Sequence, residues 1–314
     1  MVSCSIIVPI HNASMTLTRC VNSLLKQQVP NQIILVDDHS TDNSFELCKE
    51  LSSKNKNILL IRSEGNGVSE ARNTGLKYAT GDIVGFCDAD DFYNLDTLLM
   101  VNEQFCNRRD LDVVVVGITK IYTERNESID YTVRKSRYIS SSNLIKMMFF
   151  DSSVMGSSWN KFYRRSLIRD IKFKASLTYC EDAHFNCRIL SRYKNLRIFI
   201  INKSGYNYLI HNRSATENQK LVYNTNGSLK YVDALNDILN ECDLTRRERN
   251  VIKYSIGMLS IGHIMMQDRP VESEKWLKAD IRRYAPIYLS LALFHDSVNN
   301  LKRMIKYLIY CLKI

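Results

Sequence analysis

Runs of consecutive apolar residues alternate along the chain with segments in which apolar residues recur every three or four positions. The apolar runs comprise residues 5–8, 33–36, 58–61 and 83–87. The helically spaced segments comprise residues 14–28, 68–79 and a stretch that follows a potential cap at 40–42. Because a strand covered on both faces of a sheet is apolar throughout, this alternation predicts an α/β fold. We expect a parallel sheet with helices on both faces, and we expect Pro9 to end the first strand.

The same patterns continue more weakly in the rest of the chain. A further strand is predicted at 113–118, and helices are predicted at 139–150 and 179–193. From about residue 215 the pattern is mostly helical, and Thr245 and Glu248 have the spacing of a capping box. The chain is therefore predicted to carry a mostly helical C-terminal extension after the α/β region.

Acidic residues follow two of the predicted strands directly. Asp37 and Asp38 come after the second strand, and Asp88, Asp90 and Asp91 come after the fourth. Ligands of parallel α/β sheets bind beyond the carboxyl ends of the strands, so these acids point to a binding site at that edge. The alternative is that they only form turns and helix caps.

Three carboxylates within four residues are costly to hold together unless a cation lies among them. Hard oxygen ligands suit Mg²⁺ or Mn²⁺, which also bridge substrate phosphates. The sequence contains neither the phosphate loop of P-loop NTPases nor the glycine fingerprint of dinucleotide dehydrogenases. We therefore expect a divalent ion bound to a diphosphate leaving group.

A second acidic pair, Glu181 and Asp182, opens the helix predicted at 179–193. One of these carboxylates could take a proton from an acceptor hydroxyl as a general base. The alternative is that the pair only complements the positive end of the helix dipole.

The net charge and the cysteine content limit the possible partners and the cellular compartment. The net charge of +10 suits an anionic partner, which could be nucleic acid, nucleotide phosphate or anionic lipid. The 9 cysteines are scattered without a CxxC pair, which favours buried free thiols in a reducing cytosol over a disulfide framework. We expect no secretory signal and no apolar run of the ~18 residues that span a bilayer.

Four motifs together resemble glycosyltransferase family 2. Residues 5–12 read SIIVPIHN, residues 34–44 read ILVDDHSTDNS, residues 67–75 read GVSEARNTG and residues 88–91 read DADD. The resemblance is close from residue 3 to about 120. It extends more weakly through WNKFYR at 159–164, the Glu181 pair and YNY at 206–208 to about residue 216.

The resemblance implies a GT-A fold and a metal-dependent hexosyltransferase that inverts the anomeric carbon. Its expected donor is a nucleotide-diphosphate-sugar, and specifically a UDP-sugar. It implies a catalytic domain at 1–216, with a nucleotide-binding half at 1–120 and an acceptor half at 121–216, and a helical region at 217–314. The implied donor-binding residues are Pro9, His11, Asp38, Asn66, Arg72 and Asp88. The implied catalytic base is Asp182, and the implied ligands or neighbours of the Mn²⁺ or Mg²⁺ ion are Asp90, Asp91 and His211.

The end of the chain adds an expectation about membranes. Apolar residues between Leu301 and Leu312 recur at helical spacing, with Lys302, Lys306 and Lys313 on another face. Such a basic amphipathic helix can lie in the interface of an anionic membrane, or it can dock on the protein's own core. With the lipid-linked or growing glycans that the family uses as acceptors, this predicts a cytoplasmic enzyme of polysaccharide synthesis, peripheral on the inner face of the cell membrane.

Two other functions stay open at this point. A nucleotidyltransferase also uses acidic metal sites on α/β sheets, but residues 9–14 (PIHNAS) lack its basic phosphate loop. A basic nucleic-acid-binding protein would require basic and aromatic residues interleaved on one surface, whereas here acids follow the strands. We therefore expect no nucleic acid partner.

Overall fold

The computed structural model describes residues 1–210, 228–264, 278–280 and 283. The chain divides into two compact units, residues 1–212 and 213–314. Of the helices in the described ranges, none has both the length and the apolar character that crossing a bilayer requires. The predicted amphipathic segment at 301–312 and His211 lie outside the described residues.

The first unit is a mixed α/β structure. Its strands are β1 (Cys4–Ile10), β2 (Asn31–Asp37), β3 (Ile58–Arg62), β4 (Ile83–Phe86), β5 (Phe92–Tyr93), β6 (Val113–Tyr122), β7 (Glu127–Tyr131), β8 (Arg137–Ile139), β9 (Lys161–Arg164) and β10 (Ile198–Ile210). Its helices are α1 (Leu17–Leu25), α2 (Ser44–Lys54), α3 (Val68–Tyr78), α4 (Thr97–Asn107), α5 (Ser141–Phe150), α6 (Arg165–Ile168) and α7 (Glu181–Arg192). The predicted strands and helices of this region are confirmed, with small shifts of their ends.

One sheet of ten strands runs through the unit in the order β3-β2-β1-β4-β9-β6-β10-β5, with β7 beside β6 and β8 beside β10. Strands β1 to β4 pair in parallel, as predicted. The parallel pairing does not continue across the whole sheet, because β9 runs antiparallel between β4 and β6. A late segment of the chain thus joins the two halves of the sheet at its centre.

The first strand continues beyond the point where the sequence predicts its end. Pro9 pairs in register with Val36 of β2, and β1 extends to Ile10. On its other side, β1 pairs with β4 only as far as Ile7. Proline is tolerated here because the edge beside it is open, so its missing N–H costs no bond to β4.

Helix α3 packs unusually close to the parallel strands. A β-carbon added at Gly75 would collide with the side chain of Ile7 on β1. Glycine in a helix interior costs about 1 kcal/mol relative to alanine, and the close approach accounts for its presence here. This packing sets α3 directly against β1 and β2.

Two further sequence predictions concern local structure. The capping box is confirmed: the N–H of Thr245 donates to Glu248 Oε2 at 2.8 Å, and the N–H of Glu248 donates to Thr245 Oγ1 at 3.3 Å. It precedes α9 (Arg246–Ile264), which follows α8 (Lys230–Glu241) in the second unit. The described cysteines are all free and most are buried, as expected.

Candidate active site

A cleft of 540 Å³ opens where the carboxyl ends of β1 and β2 meet the start of α3. It is lined by Pro9, Ile10, His11, Asp38, His39, Asn66, Gly67 and Val68. Four of the six residues predicted to bind the donor lie in this wall. The cleft is at the edge of the sheet where parallel α/β folds bind their ligands.

Asp38 fixes the loop that forms the far wall of this cleft. Its Oδ1 and Oδ2 accept hydrogen bonds from the N–H of Gly67 at 3.0 and 2.9 Å. Gly67 has φ of +94°, a conformation that favours glycine. The carboxylate of Asp38 therefore holds exposed Asn66 beside the cleft while its own side chain remains in the wall.

The ring of His11 is held in one orientation and one tautomer. Its Nδ1 lies 2.7 Å from the carbonyl oxygen of Asp38, and its Nε2 lies 3.2 Å from the Nδ2 of Asn12. A carbonyl can only accept, so Nδ1 carries the proton, and Nε2 accepts from the amide of Asn12. An imidazole held by hydrogen bonds at both nitrogens thus forms part of the wall of the cleft.

Arg72 lies at the centre of three carboxylates. Its Nη2 is 2.9 Å from Asp88 Oδ1, and its Nη1 is 2.8 Å from Glu181 Oε1 and 3.1 Å from Asp182 Oδ1. The side chain is 3% exposed, and the guanidinium lies 5.3 Å from the centre of the Phe173 ring. Arg72, which the family resemblance implies as a donor-binding residue, is therefore placed among these acids and does not line the cleft.

The crowding changes the protonation of these groups. Burial raises the pKa of Asp88 to about 6; the charge of Arg72 opposes this shift, while Asp182 and Asp90 add to it. Burial and the charge of Asp182 also raise the pKa of Glu181, against the pull of Arg72. Burial alone would lower the pKa of Arg72, but the surrounding carboxylates raise it. One guanidinium thus balances only part of the negative charge.

The acidic side chains around Asp88 are oxygen donors of the kind that divalent cations take as ligands. The carboxylates that surround Arg72 outnumber it, and Asp90 lies close enough to Asp88 to raise its pKa. Within the described ranges, no three acidic, imidazole or thiol groups converge closely enough to hold an ion by themselves. An ion here would complete its shell with diphosphate oxygens and water, as Mg²⁺ and Mn²⁺ commonly do.

Asp90 and Asp91, the two candidate metal ligands that the sequence does not distinguish, have different environments in the structure. Asp90 is half-buried, and its carbonyl accepts a hydrogen bond from Arg19 at 2.8 Å. Asp91 is 1% exposed: its Oδ2 accepts from the hydroxyl of Tyr206 at 2.7 Å, and its Oδ1 accepts from the N–H of Leu209 at 2.8 Å. Since both oxygens of Asp91 are used inside the core, we leave it out of the metal site.

An aromatic stack supports the acidic loop from below. Trp159 stacks on Tyr206 with ring centres 4.2 Å apart and on Tyr208 with ring centres 5.5 Å apart. The hydroxyl of Tyr206 donates to Asp91 and accepts from the N–H of Asp88 at 3.1 Å. The sequence motifs at 159–164 and 206–208 therefore act by positioning the 88–91 loop.

Asp182 begins α7 and is fixed through one of its two carboxylate oxygens. Its Oδ1 accepts from the hydroxyl of Ser158 at 2.8 Å and is 3.1 Å from Arg72 Nη1. Its Oδ2 receives no hydrogen bond from the described residues. The side chain as a whole is 15% exposed. Ser158 could not be predicted from the sequence, because a serine in a loop has no distinctive pattern.

The site thus combines a nucleotide-sized cleft, an excess of carboxylates and a partly exposed acid. The profile described as glycosyl transferase family 2 matches residues 5–172, more than half of the chain. The uncharacterized glycosyltransferase EpsJ of Bacillus subtilis (strain 168) is 28% identical over 219 residues, 68% of this chain and 62% of EpsJ. Poly(ribitol-phosphate) beta-N-acetylglucosaminyltransferase TarS of Staphylococcus aureus (strain Mu50 / ATCC 700699) is 28% identical over 215 residues, 66% of this chain and 35% of TarS.

This chain spans less than two thirds of the length of either relative. The crystal structure of S. aureus TarS 1-349 in complex with UDP has a TM-score of 0.62 at 20% identity, covering 93% of this chain and 92% of that one. The complex with UDP-GlcNAc also has a TM-score of 0.62 at 20% identity, covering 97% and 79%. This likeness confirms the expected GT-A fold. On the match to the family profile, the chain belongs to glycosyltransferase family 2.

Proposed function

We propose that the protein transfers a sugar from a UDP-sugar to an acceptor hydroxyl with inversion at the anomeric carbon. The observation that carries this proposal is the position of Asp182, which is linked to Asp88 through Arg72 by its Oδ1, while its Oδ2 receives no hydrogen bond from the described residues. The complexes of TarS with UDP and UDP-GlcNAc support a uridine nucleotide as the donor. Pro9, His11, Asp38 and Asn66 line a cleft in which the nucleoside would bind.

In the proposed reaction, Asp182 Oδ2 takes the proton of the acceptor hydroxyl as the oxygen attacks the anomeric carbon. The new bond forms on the face opposite the diphosphate, and the bond between the sugar and the UDP oxygen breaks with both electrons going to UDP. Direct displacement inverts the configuration and requires one base, unlike the two flanking carboxylates of a retaining hydrolase. Arg72 and Ser158 hold Asp182 Oδ1, which leaves Oδ2 as the reacting oxygen.

We propose that Asp90, with Asp88 beside it, would hold Mn²⁺ or Mg²⁺. When bound, the ion would supply positive charge to the diphosphate as it leaves. The local excess of carboxylates over Arg72 and the raised pKa of Asp88 support a cation at this position. His211 stays a predicted neighbour of the diphosphate from the sequence resemblance.

We further propose that the acceptor is a lipid-linked or growing surface glycan. The names of the curated relatives support a role in cell-surface glycan synthesis, since TarS acts on poly(ribitol-phosphate) and GgaB of Bacillus subtilis (strain 168) is a minor teichoic acid biosynthesis protein. The basic segment at 301–312 would hold the enzyme to the inner face of the membrane, next to such an acceptor.

The experiment that tests this function replaces Asp182 with asparagine. A panel of UDP-sugars first identifies the donor by release of UDP in the presence of Mn²⁺. Asp182→Asn is then expected to leave the Kd for UDP unchanged and to lower turnover by about 10²-fold or more, the scale of a lost general base. Asp170→Asn, at an exposed position, is the matched control.

Two outcomes would redirect the assignment. Normal turnover of Asp182→Asn together with loss in Glu181→Gln would make Glu181 the base. Normal turnover in both would contradict the proposed site. The products also separate the alternatives, because a nucleotidyltransferase releases pyrophosphate from a nucleoside triphosphate, whereas a glycosyltransferase releases UDP from a UDP-sugar.

A further inference from the structure

Lys161 is a lysine that the proposed reaction does not use and that the solvent does not reach. It is the first residue of β9, and it is 0% exposed. Its Nζ donates to the carbonyl oxygens of Val154 at 3.1 Å, Met155 at 2.9 Å and Ser157 at 2.6 Å, and to Asn160 Oδ1 at 2.9 Å. A buried ammonium is costly unless it is well hydrogen-bonded, and here neutral oxygens surround it.

The acceptors of Lys161 belong mainly to one irregular loop, residues 151–160. This loop has no regular secondary structure, and Met155 has φ of +50°. Backbone carbonyls that converge on one point repel each other, so the central amine and its hydrogen bonds allow this conformation, although burial lowers the pKa of Lys161 to about 7. The loop is therefore shaped around the amine of Lys161.

The same loop supplies the hydrogen bond that orients the proposed base. Ser158 directly follows Ser157, the last of the three residues whose carbonyls accept from Lys161, and its hydroxyl donates to Asp182 Oδ1 at 2.8 Å. Asn186 of α7 ties the two segments together: its Nδ2 donates to the carbonyls of Gly156 at 2.9 Å and Asp182 at 3.0 Å. A shift of the loop would therefore move Ser158 relative to Asp182.

We propose that Lys161 is a positioning residue for Asp182, because it gathers the carbonyls of the 151–160 loop and thereby holds Ser158 against the carboxylate. The inference rests on the proposed role of Asp182 as the base. Lys161, the lysine of the 159–164 motif, would thus assist the reaction without contacting the substrate or a metal ion. The charges that face Lys161 include that of Asp182, and the thiol of Cys187 on α7 also faces it.

The test compares Lys161→Met and Ser158→Ala in two backgrounds, the wild-type chain and Asp182→Asn. The readouts are kcat and KM for release of UDP from the donor chosen in the panel, with Mn²⁺ present, and the Kd for UDP. Misplacing a catalytic group by a fraction of an ångström to 1 Å costs up to about 10²-fold. We expect each variant to lower kcat by about 10- to 100-fold with KM and Kd nearly unchanged. Lys172→Met, at an exposed position, is the control.

In the Asp182→Asn background, neither variant should lower the remaining rate further, because the group they position is no longer a base. An equal loss in both backgrounds would mean a general structural role and would overturn the proposal, as would normal kcat in Ser158→Ala. If Lys161→Met does not fold, Ser158→Ala still decides the outcome. If Asp182→Asn itself keeps full turnover, the proposed base fails, which is a result distinct from failure of the positioning role.

Discussion

Replacing Arg72 with methionine is expected to destabilise the protein strongly and in a pH-dependent way. The guanidinium is 3% exposed and lies within 3.1 Å of three carboxylates. Removing one partner of a buried ion pair typically costs 3–5 kcal/mol, because the remaining charge stays buried without compensation. We expect a loss of roughly 3–5 kcal/mol in the free energy of unfolding at pH 8.

The sign of the pH dependence follows from the carboxyl groups. Arg72 opposes the burial that raises the pKa of Asp88 and Glu181, so without it both pKa values rise further. The folded variant then binds more protons than the folded wild type between about pH 5 and pH 8, and its stability relative to the wild type falls as the pH rises. At pH 5, where these carboxyls are more protonated, the cost should shrink to about 1 kcal/mol.

The assay is urea denaturation at pH 5 and pH 8, followed by circular dichroism and tryptophan fluorescence. The matched control is Arg197→Met, which removes a pair with Asp110 whose side chains are 54% and 62% exposed. Such a surface pair contributes at most about 1 kcal/mol. Two results would refute this account of the network. One is a loss in the free energy of unfolding for Arg72→Met that is no larger than that of the control; the other is the same loss at both pH values.

Two further predictions concern the cation and the tail. Removing divalent ions with EDTA should abolish most of the affinity for UDP measured by calorimetry, and Asp90→Ala should have the same effect; undiminished binding in EDTA would exclude the cation from donor binding. Truncation after residue 297 should release the protein from anionic liposomes without loss of UDP binding, because Lys302, Arg303, Lys306 and Lys313 each contribute about 1 kcal/mol near such a surface. Sedimentation of the truncated protein with liposomes would place the membrane contact elsewhere.

The parts of the fold that are best predicted from the sequence depend on residues that are adjacent in the chain. The apolar runs of β1 to β4 are visible because both faces of a central parallel strand are buried. The antiparallel position of β9 could not be read in the same way, since four residues that include a lysine do not resemble a core strand. Its pairing depends on β4 and β6, which are distant in the chain.

The sequence identified which residues belong to the site, but it did not indicate which of them contact each other or which are buried. Arg72 and Glu181 are 109 positions apart, so no local pattern announces their contact. Asp90 and Asp91 are equivalent by sequence, and only β10, through Tyr206 and Leu209, draws Asp91 into the core. Which of the two acids is buried is thus decided by a strand more than 100 residues away.

The central position of β9 also bears on how the chain folds and how it can be divided. Strand β4 has β1 on one side, and its other side is covered only when residues 161–164 have been synthesised. A fragment that ends near residue 120 would expose that open edge, a template for pairing with other chains. We therefore do not expect the nucleotide-binding half to be expressed as a stable protein on its own. During synthesis, the sheet can close only after β9 has left the ribosome. Such dependence on long-range contacts favours slow folding.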